Sequence, residues 1–216
     1  MVPSNKVIAI DGPAASGKSS VATRVSKKTG FMHVNSGLMY RALTWSALRA
    51  DIDTNNESKV IDHLNSIEME CIKSNDSLLL NIDGNDPGEE LKSQEVNRSV
   101  SVVAAIKEVR SELVKRQREY LFVSDIVMEG RDIGSVVFPE TPFKFYIDAS
   151  PEVRALRRRG EGGVDELIER DKLDSSRKVS PLVIPEDAFV IDTSEMDLNE
   201  VVEKVLLELN NRGLIT

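Results

Sequence analysis

Residues 7–19 have the sequence VIAIDGPAASGKS, and this stretch decides the fold. Residues 7–10 are a short apolar run of the kind that forms a buried parallel strand. Glycines and small residues follow, and a helical pattern begins near Lys18. The order is therefore a strand, a loop and a helix, and residues 12–19 match the Gly-x-x-x-x-Gly-Lys-Ser spacing of a phosphate-binding loop, the P-loop.

The spacing of this loop has a chemical reason. Glycines let the backbone curl so that successive N–H groups face a phosphate, and the following helix adds the positive end of its dipole. Lys18 is expected to bridge the β- and γ-phosphates of ATP, and the Ser19 hydroxyl is expected to bind Mg²⁺. The predicted ATP-binding residues are Gly12, Pro13, Ala14, Ala15, Ser16, Gly17, Lys18, Ser19 and Ser20.

Strand and helix patterns alternate along the rest of the chain. Three more apolar runs are typical of buried parallel strands: residues 126–128, 143–147 and 189–191. Helical spacing predicts helices over about 18–29, 36–49 and 198–211, and one long helix over roughly 95–123. This alternation predicts an α/β fold, a parallel sheet with helices on both faces.

Two segments depart from that alternation. Residues 66–83 contain two apolar stretches around a Ser-Asn-Asp turn, which predicts an inserted antiparallel hairpin. Residues 154–169 mix arginines with glycines, which suits a mobile cationic lid over a site. A charged surface run is the alternative for the arginines of this segment: Arg154, Arg157, Arg158 and Arg159.

Composition restricts the class of protein. The 216 residues are 40% hydrophobic and 30% charged, which is ordinary for a globular protein. The net charge of −8 argues against a general nucleic-acid binder, and a single cysteine excludes an intramolecular disulfide. Without a signal-peptide pattern or a long apolar run, we expect a cytoplasmic protein with no membrane or nucleic-acid partner.

A P-loop does not by itself identify the phosphate acceptor. The sequence has no Asn-Lys-x-Asp motif of the kind that recognises guanine in GTPases, and helicases are larger and more basic. A small phosphotransferase therefore remains.

Four segments carry a resemblance to a known family. Residues 11–20, 36–41, 129–139 and 170–177 resemble, in the same order, the signatures of bacterial cytidylate kinases. The resemblance extends from about residue 6 to the final helix. It implies one domain over 1–216 with the three-layer P-loop kinase fold, a small antiparallel insert for the nucleoside monophosphate at about 60–95, and a short lid at about 151–170.

The resemblance also implies roles for individual residues. Lys18, Arg131, Arg170 and Arg177 would be catalytic, since a phosphate acceptor and ATP repel each other and need fixed cations between them. Asp132, as a carboxylate, would accept a hydrogen bond from the exocyclic amine of cytosine, a donor that uracil lacks. The implied CMP-binding residues are Ser36, Tyr40, Arg41, Ser101, Arg110, Arg131, Asp132, Arg170, Asp174 and Arg177.

The activity implied is transfer of the γ-phosphoryl group of ATP to CMP or dCMP, giving ADP and CDP or dCDP, with Mg²⁺ as cofactor in pyrimidine metabolism. We expect a monomer. A kinase for UMP, AMP or shikimate is an alternative, as is an ATP-binding switch without catalysis.

Several residues near these motifs have open interpretations. Arg110 is either functional or part of a solvated helix face, and we expect His33 and His63 to be structural or exposed. Asp11 is expected to support the P-loop, and Glu129 to act near Mg²⁺ through water.

Overall fold

The computed structural model describes residues 5–74, 77–157, 171–177 and 179–214. The chain divides into two compact units, one formed by Met1–Val34 with Tyr120–Thr216 and the other by Asn35–Glu119. In chain order the elements are β1 (Val7–Asp11), α1 (Lys18–Thr29), β2 (Met32–Asn35), α2 (Ser36–Arg49), α3 (Glu57–Ser66), β3 (Met69–Ser74), β4 (Ser77–Ile82), α4 (Gln94–Val103), α5 (Lys107–Glu119), β5 (Ile126–Gly130), β6 (Lys144–Asp148), α6 (Pro151–Arg157), β7 (Phe189–Asp192) and α7 (Leu198–Asn211).

Short helical turns complete the description. Gly88–Lys92 and Tyr120–Phe122 are 3₁₀ turns, Ile133–Val137 is a π-helical turn, and residues 171–176 are helical. No helix within the described residues is both long enough and apolar enough to cross a membrane.

The first unit is built on a five-stranded sheet with the order β2-β5-β1-β6-β7. β1 pairs in parallel with β5 and β6, and β6 pairs in parallel with β7, so the carboxyl ends of these strands share one edge. Apolar residues of the sheet, among them Ile10 and Phe145, pack with Val25 of α1 and with Val205 and Leu209 of α7. The α/β fold with a parallel sheet, predicted from the sequence, is confirmed.

Helix α1 begins and ends at glycines, as the sequence pattern indicates. Gly17 precedes the helix with φ 94°, and Gly30 follows it with φ 74°. The Gly30 N–H donates to the Ser26 carbonyl at 2.9 Å and so closes the last turn. The helix therefore starts directly at Lys18, with its amino end on the P-loop.

The second unit contains the predicted hairpin. β3 and β4 pair in antiparallel register from Met69 opposite Ile82 to Ser74 opposite Ser77. This sheet is separate from the five-stranded sheet.

The single long helix predicted over 95–123 is wrong. α4 ends at Val103 and α5 begins at Lys107. The Arg110 guanidinium donates to the Ala104 carbonyl at 2.9 Å, a carbonyl that a continuous helix would pair with the amide four residues later. A buried arginine side chain thus takes over a backbone contact at the break.

Candidate active site

The P-loop curls tightly against the end of β6. Gly12 has φ 155°, and a Cβ placed on it would lie 2.1 Å from the Ile147 carbonyl oxygen. Ala15 and Gly17 are also in the positive-φ region, at 60° and 94°. Positive-φ residues interspersed with residues of negative φ turn backbone N–H groups toward one concave side, which is the geometry that binds phosphate.

Two polar groups of the loop are buried. Lys18 Nζ donates to the Pro13 carbonyl at 2.9 Å, so its ammonium lies beside the loop. Ser16 is fully buried, and its Oγ has no hydrogen-bond partner among the described residues. The ATP-binding role of both residues stays a prediction.

A chain of three side chains runs from Ser19 to β2. The Ser19 hydroxyl donates to Glu129 Oε2 at 2.5 Å, and Glu129 Oε1 lies 3.0 Å from His33 Nε2. Burial by itself would raise the pKa of Glu129, but the hydrogen bond with His33, the charge of Lys18 and the hydrogen bond with Ser19 together lower it. Glu129 is therefore a carboxylate held in a fixed orientation at the carboxyl end of β5.

This arrangement fits a hard cation such as Mg²⁺. Because the Ser19 hydroxyl donates its hydrogen to Glu129, its oxygen lone pairs remain available, and the carboxylate adds negative charge beside it. The described residues contain no group of three or more His, Cys, Asp or Glu side chains able to hold a metal. Mg²⁺ at nucleotide sites usually takes most of its ligands from phosphate oxygens and water.

Two arginines of α6, with Thr193 just after β7, fix carbonyl groups of the P-loop. Arg154 donates to the Ala14 carbonyl at 3.2 Å and pairs with Asp171, whose other oxygen accepts the Ala14 N–H at 3.1 Å. Arg157 donates to the Ser16 carbonyl at 3.1 Å and to Thr193 Oγ1 at 2.9 Å.

The surface-run interpretation is therefore wrong for Arg154, which is only 8% exposed. The Arg157 guanidinium likewise donates hydrogen bonds to the P-loop and to Thr193. The rest of the predicted lid, residues 158–170 with Arg158, Arg159 and Arg170, lies outside the described residues.

A buried carboxylate holds two of the predicted arginines together. Asp174 Oδ2 accepts from Arg131 Nε at 2.8 Å, and Asp174 Oδ1 pairs with Arg177. Asp174 is 2% exposed, and both guanidinium side chains are mostly buried. The first unit thus carries a fixed pair of cations in addition to the cation of the P-loop.

Asp132 follows Arg131 in the turn after β5. It is buried, and its carbonyl accepts the Val136 and Val137 N–H groups at 2.9 and 3.1 Å. The backbone of the predicted cytosine-recognising residue is therefore held within the π-helical turn.

The second unit contains the other predicted acceptor residues. Ser36 opens α2 and is buried, and Ser101 is buried on α4. Arg41 donates to the Leu91 carbonyl at 2.7 Å and to Asn97 Oδ1 at 2.8 Å.

Arg110 belongs to the same unit and is only 2% exposed. Its guanidinium lies over the Tyr40 ring, 5.3 Å from the centroid. The interpretation of Arg110 as part of a solvated helix face is wrong, because the residue is buried.

Some residues of the site were not identified from the sequence as parts of it. His33, Asp171 and Thr193 contact Glu129 or the P-loop, yet none lies in a motif whose spacing indicates that contact. Asp171 had one signal, its position in the 170–177 segment. His63, by contrast, is a structural residue as expected, with Nε2 2.9 Å from Ser46 Oγ.

Comparison with known proteins gives a consistent result. A family model described as cytidylate kinase matches residues 8–211. A cytidylate kinase of Caldanaerobacter subterraneus subsp. tengcongensis is 42% identical over 96% of this chain and 97% of its own length. The cytidylate kinase of Bacillus subtilis (strain 168) is 40% identical over 92% of this chain and 94% of its own.

A comparison of structures agrees on the fold. A sugar kinase from Janibacter sp. HTCC2649 matches with a TM-score of 0.50 at 14% identity, covering 95% of both chains. At this identity the likeness concerns the fold alone.

Proposed function

The chain belongs to the cytidylate kinase family and is an enzyme of that kind, and we propose that it transfers the γ-phosphoryl group of ATP to CMP or dCMP at the residues described above. The products would be ADP and CDP or dCDP, and the reaction would belong to pyrimidine nucleotide metabolism.

One observation carries the assignment of a phosphoryl acceptor. Asp174 holds Arg131 and Arg177 as a buried cation pair in the unit that also contains the P-loop. An ATP-binding switch has no need of a second set of fixed cations, whereas a kinase must bring an acceptor dianion to a nucleoside triphosphate. The pair therefore supports catalysis over a switch.

The P-loop residues would hold ATP. Backbone N–H groups of residues 12–19 would bind the phosphates, and Lys18 would neutralise charge on the group being transferred. Mg²⁺ bound at Ser19, with Glu129 acting through water, would offset the charge of the phosphates.

The acceptor-binding residues are those that the family resemblance implies. Arg131, Arg177 and Arg170 would bind phosphate, and Asp132 would accept from the cytosine amine. The other contacts to the acceptor nucleotide would come from Ser36, Tyr40, Arg41, Ser101 and Arg110.

The chemistry requires no general base. The attacking oxygen of the acceptor phosphate is already ionised at neutral pH, so catalysis would consist of positioning and charge neutralisation. Arg131 and Arg177, held by Asp174, would keep a fixed geometry through the reaction.

Three further expectations stay predictions. They are the monomeric state, the cytoplasmic location and the division of one kinase domain into an insert at 60–95 and a short lid at 151–170. The hairpin β3–β4 falls inside the predicted insert.

A coupled assay of ADP release tests the proposal. ATP and Mg²⁺ are supplied with CMP, dCMP, UMP, AMP, GMP, shikimate or no acceptor in separate wells. We expect fast release with CMP and dCMP alone. Equal slow release in every well would mean an ATPase or a switch, and fast release with another acceptor would replace the proposed substrate.

Variants of the predicted cytosine-recognising residues sharpen this assay. Asp132→Asn and Arg110→Met are expected to lower the ratio of kcat/KM for CMP to that for UMP by at least about 10-fold, the scale of one lost buried hydrogen bond. Glu112→Gln, which removes a partly exposed ion pair with Arg116, is the control and should leave the ratio unchanged.

A further inference from the structure

Asp11 is a buried carboxylate without a role in the reaction proposed above. It ends β1, is 2% exposed and lies opposite Gly130 in the parallel pairing of β1 with β5. Its side chain therefore reaches the turn that continues from β5. Asp11 Oδ1 accepts the Ile133 N–H at 2.9 Å, and Oδ2 accepts the Gly134 N–H at 2.7 Å.

These two N–H groups open the π-helical turn. The first amides of any helical turn have no partner within it, so an external acceptor must satisfy them when they are buried. Asp11 supplies both acceptors from a neighbouring strand. The hydrogen bonds that the Asp132 carbonyl accepts from Val136 and Val137 belong to the turn itself.

We propose that Asp11 is a positioning residue for the phosphoryl acceptor, fixing the turn that carries Arg131 and Asp132 relative to the P-loop that begins at the next residue. The proposal rests on the proposed function in one respect, because it takes Arg131 and Asp132 as acceptor-binding residues. The sequence-based expectation placed Asp11 in support of the P-loop itself. The observed hydrogen bonds instead join Asp11 to the amides of Ile133 and Gly134 in the π-helical turn.

Close packing leaves the turn little freedom to shift while Asp11 remains in place. A Cβ built on Gly134 would lie 3.4 Å from Asp11 Oδ2 and 3.1 Å from Lys144 Cγ. The backbone of the turn therefore sits directly between a carboxylate and a buried lysine stem. A displacement of the Asp11 side chain is expected to move residues 131–134 as a group.

A carboxylate at this point is energetically costly. The pKa of Asp11 is raised to about 7, mainly by burial and to a smaller extent by the charge of Asp132. The Gly134 and Ile133 amides and the charge of Lys18 act in the opposite direction. The charge of Asp11 also interacts with the Tyr146 hydroxyl on β6. The neighbouring charges thus include an acceptor-side carboxylate and the P-loop lysine.

The test compares Asp11→Asn with wild type. Asparagine has one acceptor oxygen, and its amide group would face an N–H donor, so the turn loses one hydrogen bond and gains a repulsion. We expect the KM for CMP to rise about 10-fold or more, as for a misplaced binding group, while the KM for ATP changes less than about 3-fold. The ratio of kcat/KM for CMP to that for UMP should also fall.

A pH series adds a readout that a purely structural role would not produce. The ratio of the KM for CMP in Asp11→Asn to that in wild type should be largest near pH 8 and shrink toward pH 6, where the wild-type carboxyl gains a proton. Ionisation of CMP cancels in this ratio, because both proteins use the same substrate. A ratio close to 1 across the whole pH range contradicts the proposal.

Thr141→Val is the matched control. Thr141 Oγ1 donates to the Val7 carbonyl at 2.6 Å, so this variant also removes a hydrogen bond to β1, but at the opposite end of the strand. It should lose stability with both KM values unchanged. If Asp11→Asn does not fold, Asp11→Glu replaces it in the comparison of the two KM values, since it keeps the charge and displaces it by one methylene.

The outcomes separate this proposal from the proposed function. If wild type does not phosphorylate CMP, the proposed function fails. If wild type is active and Asp11→Asn raises the KM values for CMP and ATP equally, or neither of them, the positioning role of Asp11 fails and the proposed function stands.

Discussion

Ser19 and Glu129, which are 110 residues apart in the chain, are joined by a hydrogen bond of 2.5 Å from the serine hydroxyl to a carboxylate oxygen. The bond links the first turn of α1 to the carboxyl end of β5, two elements that pack together in the first unit. His33 contacts the other carboxylate oxygen at 3.0 Å. The orientation of the Ser19 hydroxyl is thus set by a carboxylate that is itself held in place.

Replacement of Glu129 by glutamine tests the role of this carboxylate. Glutamine keeps the size and an acceptor for Ser19 but removes the negative charge beside the proposed Mg²⁺ position. Loss of a group that orients a metal ligand costs roughly 10- to 100-fold in metal affinity or activity. We therefore expect the half-saturating Mg²⁺ concentration to rise and kcat to fall on that scale in a Mg²⁺ titration of ADP release.

Glu208→Gln provides the control for that titration. Glu208 pairs with Arg212 at 2.6 Å on α7 and has no contact with the P-loop in the described structure. Its Mg²⁺ titration should match wild type. A kcat and Mg²⁺ dependence of Glu129→Gln within about twofold of wild type would contradict the role given to Glu129.

The Gly12→Ala substitution tests the backbone geometry of the P-loop. The new Cβ would lie 2.1 Å from the Ile147 carbonyl oxygen, a distance that requires the loop or the end of β6 to move. We expect both a lower free energy of unfolding and a KM for ATP raised by at least about 10-fold, because displaced N–H groups no longer converge on phosphate. Urea unfolding and steady-state kinetics measure the two effects.

Gly30→Ala is the comparison for Gly12→Ala. Gly30 also has positive φ, but apart from Gly30 and its two chain neighbours no heavy atom of the described residues lies within 4 Å of its Cβ position, so an alanine adds only backbone strain. It should lose stability by about 1 kcal/mol with its KM for ATP unchanged. Equal KM values for the two variants would show that the Gly12 contact has no bearing on ATP.

Removal of the Asp174 carboxylate should affect both binding and stability. In Asp174→Asn, Arg131 and Arg177 lose the charge that holds them together, and two mostly buried cations remain. Breaking a buried ion pair from one side costs about 3–5 kcal/mol. We expect urea unfolding to detect a loss on that scale and kcat/KM for CMP to fall at least about 100-fold.

Glu89→Gln controls for the general effect of losing an ion pair. Glu89 pairs with Lys92 on an exposed 3₁₀ turn, where such pairs contribute about 0–1 kcal/mol. A decrease in kcat/KM for CMP that is no greater in Asp174→Asn than in Glu89→Gln would contradict the proposed cation pair.

Much of the fold was predictable because its signals are local. The P-loop, the glycine that ends α1 and the final helix each depend on a few neighbouring residues, and the structure confirms them. Strand β2 is only four residues long, and the turn after β5 is a π-helix, so neither has a distinct period in the sequence.

The errors have a common physical cause, which is tertiary contact overriding local pattern. The apolar period continues through residues 95–123, but the helix is interrupted after Val103, where the buried Arg110 donates to the Ala104 carbonyl and lies over the Tyr40 ring. Arg154 lies in a charged run, yet its guanidinium reaches the P-loop. A charged side chain that donates to buried carbonyls has the same sequence signature as one in solvent.

The raised pKa of Asp11 predicts how stability depends on pH. Burial raises this pKa to about 7 in the folded chain, whereas an aspartate in an unfolded chain titrates near 3.8. Between these pH values the folded state binds a proton that the unfolded state has released, so raising the pH disfavours folding. The contribution of Asp11 to stability is therefore greatest below about pH 4, falls as the pH rises to about 7, and is constant above that.

Other carboxyl groups give the opposite slope, since the pKa values of Glu129 and Asp187 are lowered and their contributions are lost as pH falls. The difference in unfolding free energy between wild type and Asp11→Asn isolates the Asp11 contribution. Urea unfolding at intervals from pH 4.5 to 8.5 should show wild type losing stability relative to the variant as pH rises, with a plateau above about pH 7. A difference that is flat, or that grows in favour of wild type with rising pH, would mean that Asp11 is ionised throughout and that its two amide hydrogen bonds outweigh the cost of burying its charge.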